Sequence, residues 1–574
     1  MYSNKHNVNI LTALLTHYGV SHAVVCPGSR NAPIVHNLNE CPSIACHPVT
    51  DERSAAFYAL GIALATKSPV VVCVTSGSAL LNAAPAVAEA FYQHVPLIVV
   101  SADRPQQWIG QLDGQTMTQP GALSAVVRRT VDMPEPTTDE QRWYCNRLIN
   151  EALYLATCKS GAPVHINIQL SEPLFGFDTE SLPDERYFHK PTVQPQEPVP
   201  PTLPQAFYDA CSPMIVIGQL PEGTVTGPTL SLLRRRYALL CEPLSNPSYD
   251  PVHIEEALTV INMLSDEPDY KSRSRRDFMP DYIIYIGDTL VSKSARKFLR
   301  ESAAPSCILT PDAFDIHDPL MSLTDIVECP YEAIEPLLRK LADENSGAPR
   351  DEHDIARRLL AEKWNVLLDV FYENAEDYEP PFSQMAVAKY LEQQLTDFDT
   401  DVCVHYANSS AVRLACTYAT HYVWCNRGIN GIEGSLSTAA GFSLATDDMV
   451  VCVIGDLSFF YDQNALWNQN LGGNLRIVLL NNGGGGIFHR LNGLSASPAA
   501  DGLVSASHST TAQGICTQND VGYMSARDME SMETGIVTLL TRQTHRPMLL
   551  EVFTNADTDA KALAEYFSIV RPRE

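Results

Sequence analysis

A chain of 574 residues exceeds what one ordinary hydrophobic core holds, so two to four domains are expected. Its formal net charge of −27 argues against nucleic acid and anionic membranes as partners, and any anionic substrate would need a local cluster of cations. The cysteines number 15, with no C-x-x-C pair; runs such as those holding Cys26, Cys73 and Cys452 read as buried apolar sites in a reducing compartment.

The chain opens with MYSNKHNVNILTALLTHYGV, an amphipathic-helix pattern without the apolar core of a signal peptide. No apolar run approaches membrane-spanning length, so a soluble cytoplasmic protein is expected. Short apolar runs at Ala23–Cys26, Val70–Val74, Leu97–Val100 and Val164–Ile168 predict strands. Three of them end in Gly/Ser/Asp-rich loops, and helical patterns such as Ser54–Thr66 and Ala79–Gln93 lie between them. That alternation predicts a doubly wound parallel sheet with its loops along one edge. PTVQPQEPVPPTLP at Pro191–Pro204 reads as an extended linker, because proline neither donates ladder bonds nor continues a helix. Strands are predicted at Met214–Ile217 and Tyr282–Ile286, a solvated basic loop at Lys271–Arg276, and a break near Ser346–Glu352. The last third restarts the α/β pattern with strands at Val402–His405, Val450–Ile454, Leu475–Leu480 and Met548–Phe553. No clear sequence repeat links the first and last thirds.

The chemistry concentrates in a few loops. Val450–Leu491 reads as a parallel βαβ unit whose two strands end in Gly455-Asp456 and in Asn481-Asn482 followed by four glycines. Alone, Asp456 would be a helix N-cap and Asn-Asn-Gly a turn. Together they offer hard oxygens for Mg²⁺ and a bare backbone for a phosphate. Glu52, in Asp51-Glu52-Arg53, reads by itself as an acidic first-turn residue favoured by the helix dipole. Arg30, Arg104, Arg413 and Arg427 each follow a predicted strand end or lie in a Gly/Asn-rich loop. Such a set in an acidic protein suits carboxylate recognition by planar guanidinium forks.

The Gly-Asp and Asn-Asn pair, about two dozen residues apart in one βαβ unit, resembles the metal motif of the thiamine-diphosphate-dependent enzymes. Leu457 replaces the usual third glycine, and Gly483 stands where Asn or Asp is usual. GSRNAP, DERSAAFYALG, SADRP, QTMTQPG and GDLS are similar to one branch of that family. That branch decarboxylates 2-oxoglutarate and adds the succinyl unit to isochorismate in menaquinone biosynthesis.

The resemblance implies three doubly wound parallel-sheet α/β domains: 1–185 binding the pyrimidine, 205–345 central, and 353–574 binding diphosphate and metal. It implies that Glu52 hydrogen-bonds the aminopyrimidine and that Ile432 supports the bent cofactor. Asp456 and Asn482 would give side-chain oxygens, and Gly484 a carbonyl, to Mg²⁺ or Mn²⁺, with Ile487 and Phe488 lining the cavity. Ser29, Arg30, Arg104, Gln115, Ser409, Arg413 and Arg427 would bind substrate. Lys293 aligns with one member of a basic pair whose other position is Ser294. The active unit would be a homodimer or a dimer of dimers, with neither nucleic acid nor membrane as partner. Two other readings remain at this point: another carboligase of the acetohydroxyacid type, and a silent thiamine-diphosphate-binding protein. Retention of Glu52 beside Asp456 and Asn482 argues against the silent one.

Overall fold

The computed structural model describes residues 1–158, 161–189, 199–245, 253–265, 274–312, 316–344, 351–398, 401–490 and 493–569. In the first third, β1 (His22–Val25), β2 (Ala45–Pro48), β3 (Val70–Val74), β4 (Leu97–Asp103), β5 (Arg129–Met133) and β6 (Val164–Gln169) pair in parallel in the order β2-β1-β3-β4-β6-β5. A second parallel sheet holds β7 (Pro213–Ile217), β8 (Ala238–Cys241), β9 (Tyr282–Ile286), β10 (Ser306–Thr310) and β11 (Leu323–Glu328), in the order β11-β10-β9-β7-β8. The third holds β12 (Val402–Tyr406), β13 (Val423–Trp424), β14 (Met449–Gly455), β15 (Leu475–Asn481), β16 (Gly522–Ala526) and β17 (Met548–Phe553), in the order β13-β12-β14-β15-β17-β16. Counted from its own first strand, the third sheet repeats the strand order of the first. The central strands β3, β4 and β15 are buried along their whole length, as runs without polar alternation must be when helices cover both faces.

Three local expectations change. The helix His6–His17 is not half-exposed: every residue from Asn7 to Leu15 is buried. Val8, Leu11 and Leu15 belong to the same core as Val71 and Ile98, and the polar residues find buried partners. Asn7 Nδ2 donates to the Gln169 carbonyl at 2.9 Å, and Asn9 Oδ1 accepts from Asn37 Nδ2 at 2.7 Å. The predicted helix Ala79–Gln93 divides into Ser78–Asn82 and Ala84–Tyr92, because Pro85 has no N–H to continue the first and suits the first turn of the second. Within the basic run, 271–273 lie outside the described residues, and Arg275–Phe278 is a 3₁₀ turn with a Ser274/Asp277 capping box. Arg275 bonds Glu301 and lies 5.6 Å over the Phe298 ring, so this part is packed rather than solvated. Of the linker, 191–198 lie outside the described residues, as do 346–350 of the later break.

All fifteen cysteines are free of disulfides, and Cys211 alone is exposed. Among the described residues no helix is long and apolar enough to cross a membrane.

The first and third sheets meet through the helices Glu52–Thr66 and Ser435–Ser443. A Cβ on Gly61 would sit 2.0 Å from the Thr438 carbonyl oxygen, and one on Gly441 would sit 2.2 Å from that of Tyr58. Only glycine lets the two backbones approach so closely. Polar bonds fix the same seam. The buried Tyr58 hydroxyl donates to the Ala465 carbonyl at 2.6 Å, and Asn464 Nδ2 donates to Asp51 Oδ2 at 2.6 Å. Arg53 donates to the Tyr461 carbonyl at 2.8 Å and lies 4.5 Å over that ring. Asp462, fully buried, accepts from the Ser437 N–H and hydroxyl, each at 2.7 Å.

Alanine is intrinsically a better helix residue than glycine by about 1 kcal/mol. Gly61→Ala and Gly441→Ala should nevertheless each destabilise the protein by about 1–3 kcal/mol, as forced overpacking does. Gly514, which has no atom within 4 Å of the place an added methyl group would take, should tolerate the same change. Urea midpoints of the three variants test this, and wild-type midpoints for both seam variants would remove the close contact from the account.

Candidate functional site

Every residue singled out from the sequence lies beyond the C-terminal end of a parallel strand, where doubly wound sheets hold ligands. Ser29 and Arg30 follow β1, Glu52 opens the helix after β2, and Arg104 and Gln115 follow β4. Ser409 and Arg413 follow β12, and Arg427 and Ile432 follow β13. Asp456 follows β14, and Asn482, Gly484, Ile487 and Phe488 follow β15. Lys293 opens the helix after β9 of the middle sheet.

Asp456 is more than a helix cap. Its Oδ1 accepts from Leu457 N at 2.6 Å, while its Oδ2 accepts from Gly483 N at 2.8 Å and Gly484 N at 3.0 Å. One carboxylate therefore ties the ends of β14 and β15 together. Burial pushes its carboxyl pKa upward, against the N–H groups of Leu457, Gly484 and Gly483 and the nearby His508, which favour the carboxylate. Gly483 has φ +79° and Gly484 φ +157°, and a Cβ on Gly484 would meet the Ser505 carbonyl oxygen at 2.9 Å. The half-buried Asn482 lies beside this bare loop. A carboxylate, a carboxamide and backbone carbonyls on adjoining strand ends, under a backbone open to a phosphate, fit a small hard cation carrying a diphosphate.

The cationic residues divide between the two edges. Arg30 is buried, donating to the Leu170 carbonyl at 3.0 Å and pairing with Glu172 at 3.0 Å. Arg427 donates to Asn408 Oδ1 at 3.1 Å, yet its Nε, like that of Arg104, is buried with no hydrogen-bond partner in the protein. Arg413 and Lys293 line one cavity of about 320 Å³ with Asn482, Ile487, Glu256 and Asp559. The buried Glu242 places Lys293 there by accepting from Val291 N at 2.6 Å and Ser292 N at 2.8 Å. Ile432 is 44 % exposed despite its size, and its carbonyl accepts from the Ser458 hydroxyl, which gives the serine of GDLS its task.

Several supporting residues escaped the sequence reading. His508 Nε2 lies 3.4 Å from Asp456 Oδ2 and is buried with no hydrogen-bond partner. The backbone beside it closes on the glycine loop, His508 N donating to Gly483 O at 2.9 Å and Gly485 N to Ser505 O at 2.7 Å. Gln119, in QTMTQPG, accepts from Gly77 N at 2.7 Å and donates to Asn167 Oδ1 at 2.7 Å, anchoring the loop that carries the exposed Gln115. Glu89 of the first unit accepts from Gly428 N at 2.6 Å and Ile429 N at 2.9 Å, holding the loop between Arg427 and Ile432. Burial raises its carboxyl pKa against those same bonds. Gln119 alone had a local signal, its place inside a dense motif.

The chain is similar to known proteins along its whole length. The N-terminal binding domain of thiamine pyrophosphate enzymes matches residues 6–124. A 2-succinyl-5-enolpyruvyl-6-hydroxy-3-cyclohexene-1-carboxylate synthase of Bacteroides fragilis is 40% identical over 579 residues, covering 99% of each chain. The synthase of the same description from Bacteroides thetaiotaomicron is 38% identical over 578 residues, again covering 99% of each chain. That of Porphyromonas gingivalis is 32% identical, covering 99% of this chain and 98% of its own. Among solved structures, a thiamine diphosphate-dependent 4-hydroxybenzoylformate decarboxylase of Rhodococcus jostii shares the fold, with a TM-score of 0.66 at 17% identity over 96% of this chain and 99% of that one. With relatives this similar along their whole length, the chain belongs to the 2-succinyl-5-enolpyruvyl-6-hydroxy-3-cyclohexene-1-carboxylate synthase family of thiamine pyrophosphate enzymes.

Proposed function

We propose that this protein uses thiamine diphosphate and Mg²⁺, or Mn²⁺, to decarboxylate 2-oxoglutarate and add the four-carbon succinyl unit to isochorismate. The product would be 2-succinyl-5-enolpyruvyl-6-hydroxy-3-cyclohexene-1-carboxylate. The observation that carries the reading is one cavity in which Asn482 and Ile487 of the metal loop face Arg413 and Lys293. A diphosphate-metal end and a carboxylate-binding end thus adjoin. Both proposed substrates carry two carboxylates, which accounts for cationic loops in a chain of net charge −27.

When bound, thiamine diphosphate supplies the nucleophilic carbon and the electron sink. Asp456 and Asn482, with the Gly484 carbonyl, would hold the metal, and Ile432, Ile487 and Phe488 would give apolar contact. Glu52 would share a proton with the pyrimidine through its carboxylate, whose Oε2 accepts from Asn82 Nδ2 at 3.2 Å. Arg30, Arg104, Arg413, Arg427 and Lys293 bind and orient carboxylates, with Ser29, Gln115 and Ser409 as neutral partners.

An acetohydroxyacid-type carboligase would often hold a flavin nucleotide on the middle sheet. That sheet has a flavodoxin-like strand order, with its switch point between β7 and β9. There the loops after β7 and β9 pack against each other: a Cβ on Gly218 would sit 2.1 Å from the Asp288 carbonyl oxygen, and Asp288 N donates to Gln219 O at 2.9 Å. The middle sheet instead supports its neighbour, through Gln219 Nε2 donating to Cys425 O at 3.1 Å.

The proposed domain limits are 1–185, 205–345 and 353–574, and the proposed compartment is the cytoplasm, in keeping with fifteen unpaired thiols. Glu52 and Asp456 belong to edges of different sheets, and each site would combine the first edge of one subunit with the third of its partner in a two-fold homodimer or a dimer of dimers. Large apolar side chains near both edges support this: Leu81, Tyr92, Ile429 and Trp467 are 40–47 % exposed.

Glu52→Gln should keep the fold and bind metal while losing about 10²–10⁴ in turnover, and deuterium exchange at the cofactor's reactive carbon should slow with it. Exchange at the wild-type rate would take Glu52 out of the chemistry. Asp456→Ala should weaken thiamine diphosphate binding at fixed Mg²⁺ by more than roughly 100-fold, since losing a mere supporting partner of a ligand already costs 10–100-fold. Calorimetric titration showing unchanged affinity would put the metal elsewhere. Mixing the two inactive variants under subunit exchange should restore roughly a quarter of wild-type activity, because half the random dimers are mixed and each would hold one intact site of two. No recovery, with exchange confirmed by mass, would place each site within one chain.

A further inference from the structure

The carboxamide of Asn482 has two unlike ends, of which Oδ1 can meet a cation and Nδ2 cannot. The side chain's own geometry does not choose between them. The choice lies with Asp559, distant in sequence, whose Oδ2 accepts from Asn482 Nδ2 at 2.9 Å. A carboxylate only accepts, so it holds the amide by its NH₂ end and leaves Oδ1 turned the other way. Asp559 is itself fixed. Its Oδ1 accepts from Gln384 N at 2.8 Å, and its Oδ2 also accepts from Thr554 Oγ1 at 2.9 Å. It stands in the first turn of the helix Ala556–Ile569, lines the same cavity as Asn482, and is tied to β15 where Thr554 N donates to Asn481 O at 3.0 Å. With both oxygens so engaged, the carboxylate acts on the metal position through Asn482 rather than directly.

We propose that Asp559 is a positioning residue that orients the Asn482 carboxamide so that its oxygen faces the metal. This rests on the reading of Asn482 as a metal ligand. In Asp559→Asn the replacement amide can offer its own NH₂ to Asn482, so the carboxamide loses its fixed sense.

Mn²⁺ binding followed by electron paramagnetic resonance, at saturating thiamine diphosphate, tests this on the full-length protein without reference to turnover. Asp559→Asn should bind Mn²⁺ about 10–100-fold more weakly than wild type, the usual loss when a ligand's partner is removed. The exchanged pair Asn482→Asp with Asp559→Asn restores an amide-carboxylate bond and leaves one carboxylate oxygen for the metal. It should recover affinity to within about tenfold of wild type. Wild-type affinity in Asp559→Asn overturns the proposal, and so does an exchanged pair that folds but binds no better than the single variant. Should Asp559→Asn fail to fold, the exchanged pair decides alone, and failure of both to fold would make Asp559 a structural residue and overturn the proposal as well. A wild-type protein that binds no Mn²⁺ in the presence of thiamine diphosphate is a different result, which overturns the metal-site reading beneath it.

Discussion

The backbones of two helices, Glu52–Thr66 and Ser435–Ser443, meet with nothing but glycine hydrogens at Gly61 and Gly441 between them. That contact sets how the first and third sheets stand to each other, and packed interiors resist being pried apart to admit even one methyl group. Phe57 seals it at one end, its ring covering the place where a side chain on Gly434 would be. The helix that begins at Glu52 is thus held by the segment after Asp456, through Tyr58, Arg53 and Asp51. Each loop of the candidate site follows a strand end, and the seam joins the first sheet's helix to that of the third.

Around that frame, the charged groups do unlike work. Asp456 takes bonds from both strand ends and leaves hard oxygens at their junction. Glu242 and Glu89 are buried carboxylates that act on backbone N–H groups, one aiming Lys293 at the cavity and the other steadying the loop after Arg427. A buried carboxylate that accepts several N–H bonds is a stiff support, because each bond fixes its geometry and removing it would strand the donors. The middle sheet also lends support through Gln219, whose Nε2 donates to Cys425 O.

The sequence made most interior strands legible and left the borders dark. The runs at Val70–Val74 and Leu475–Leu480 announce themselves because both faces are covered and nothing polar interrupts them. The edge strands β2 (ACHP), β5 (RTVDM) and β16 (GYMSA) are short or mixed in polarity, as half-solvated edges can be, and look like loops. Edge strands β8, β11 and β13 were also missed, with the interior strand β10, although β8, β10 and β13 are fully buried. The candidate site was legible for a related reason: glycines, asparagines and arginines directly after an apolar run stand out. His508, Glu89 and Asp559 lie far along the chain from the loops they serve, and only the folded chain brings them there. The helix His6–His17 shows the reverse failure, since asparagines that look solvent-facing in a pattern are buried once Gln169 and Asn37 answer them.

The strand order shared by the first and third sheets has an evolutionary consequence. One architecture occurs twice in the chain, with no clear trace of the repetition left in the residues. A scaffold used twice lets its loops diverge separately, because strand pairing depends on the buried runs and not on the loops at their ends. One copy carries the glutamate and the Gly-Ser-Arg turn, the other the aspartate and the glycine run. Descendants of such a chain are free to change the loops of one copy while the other copy keeps its own.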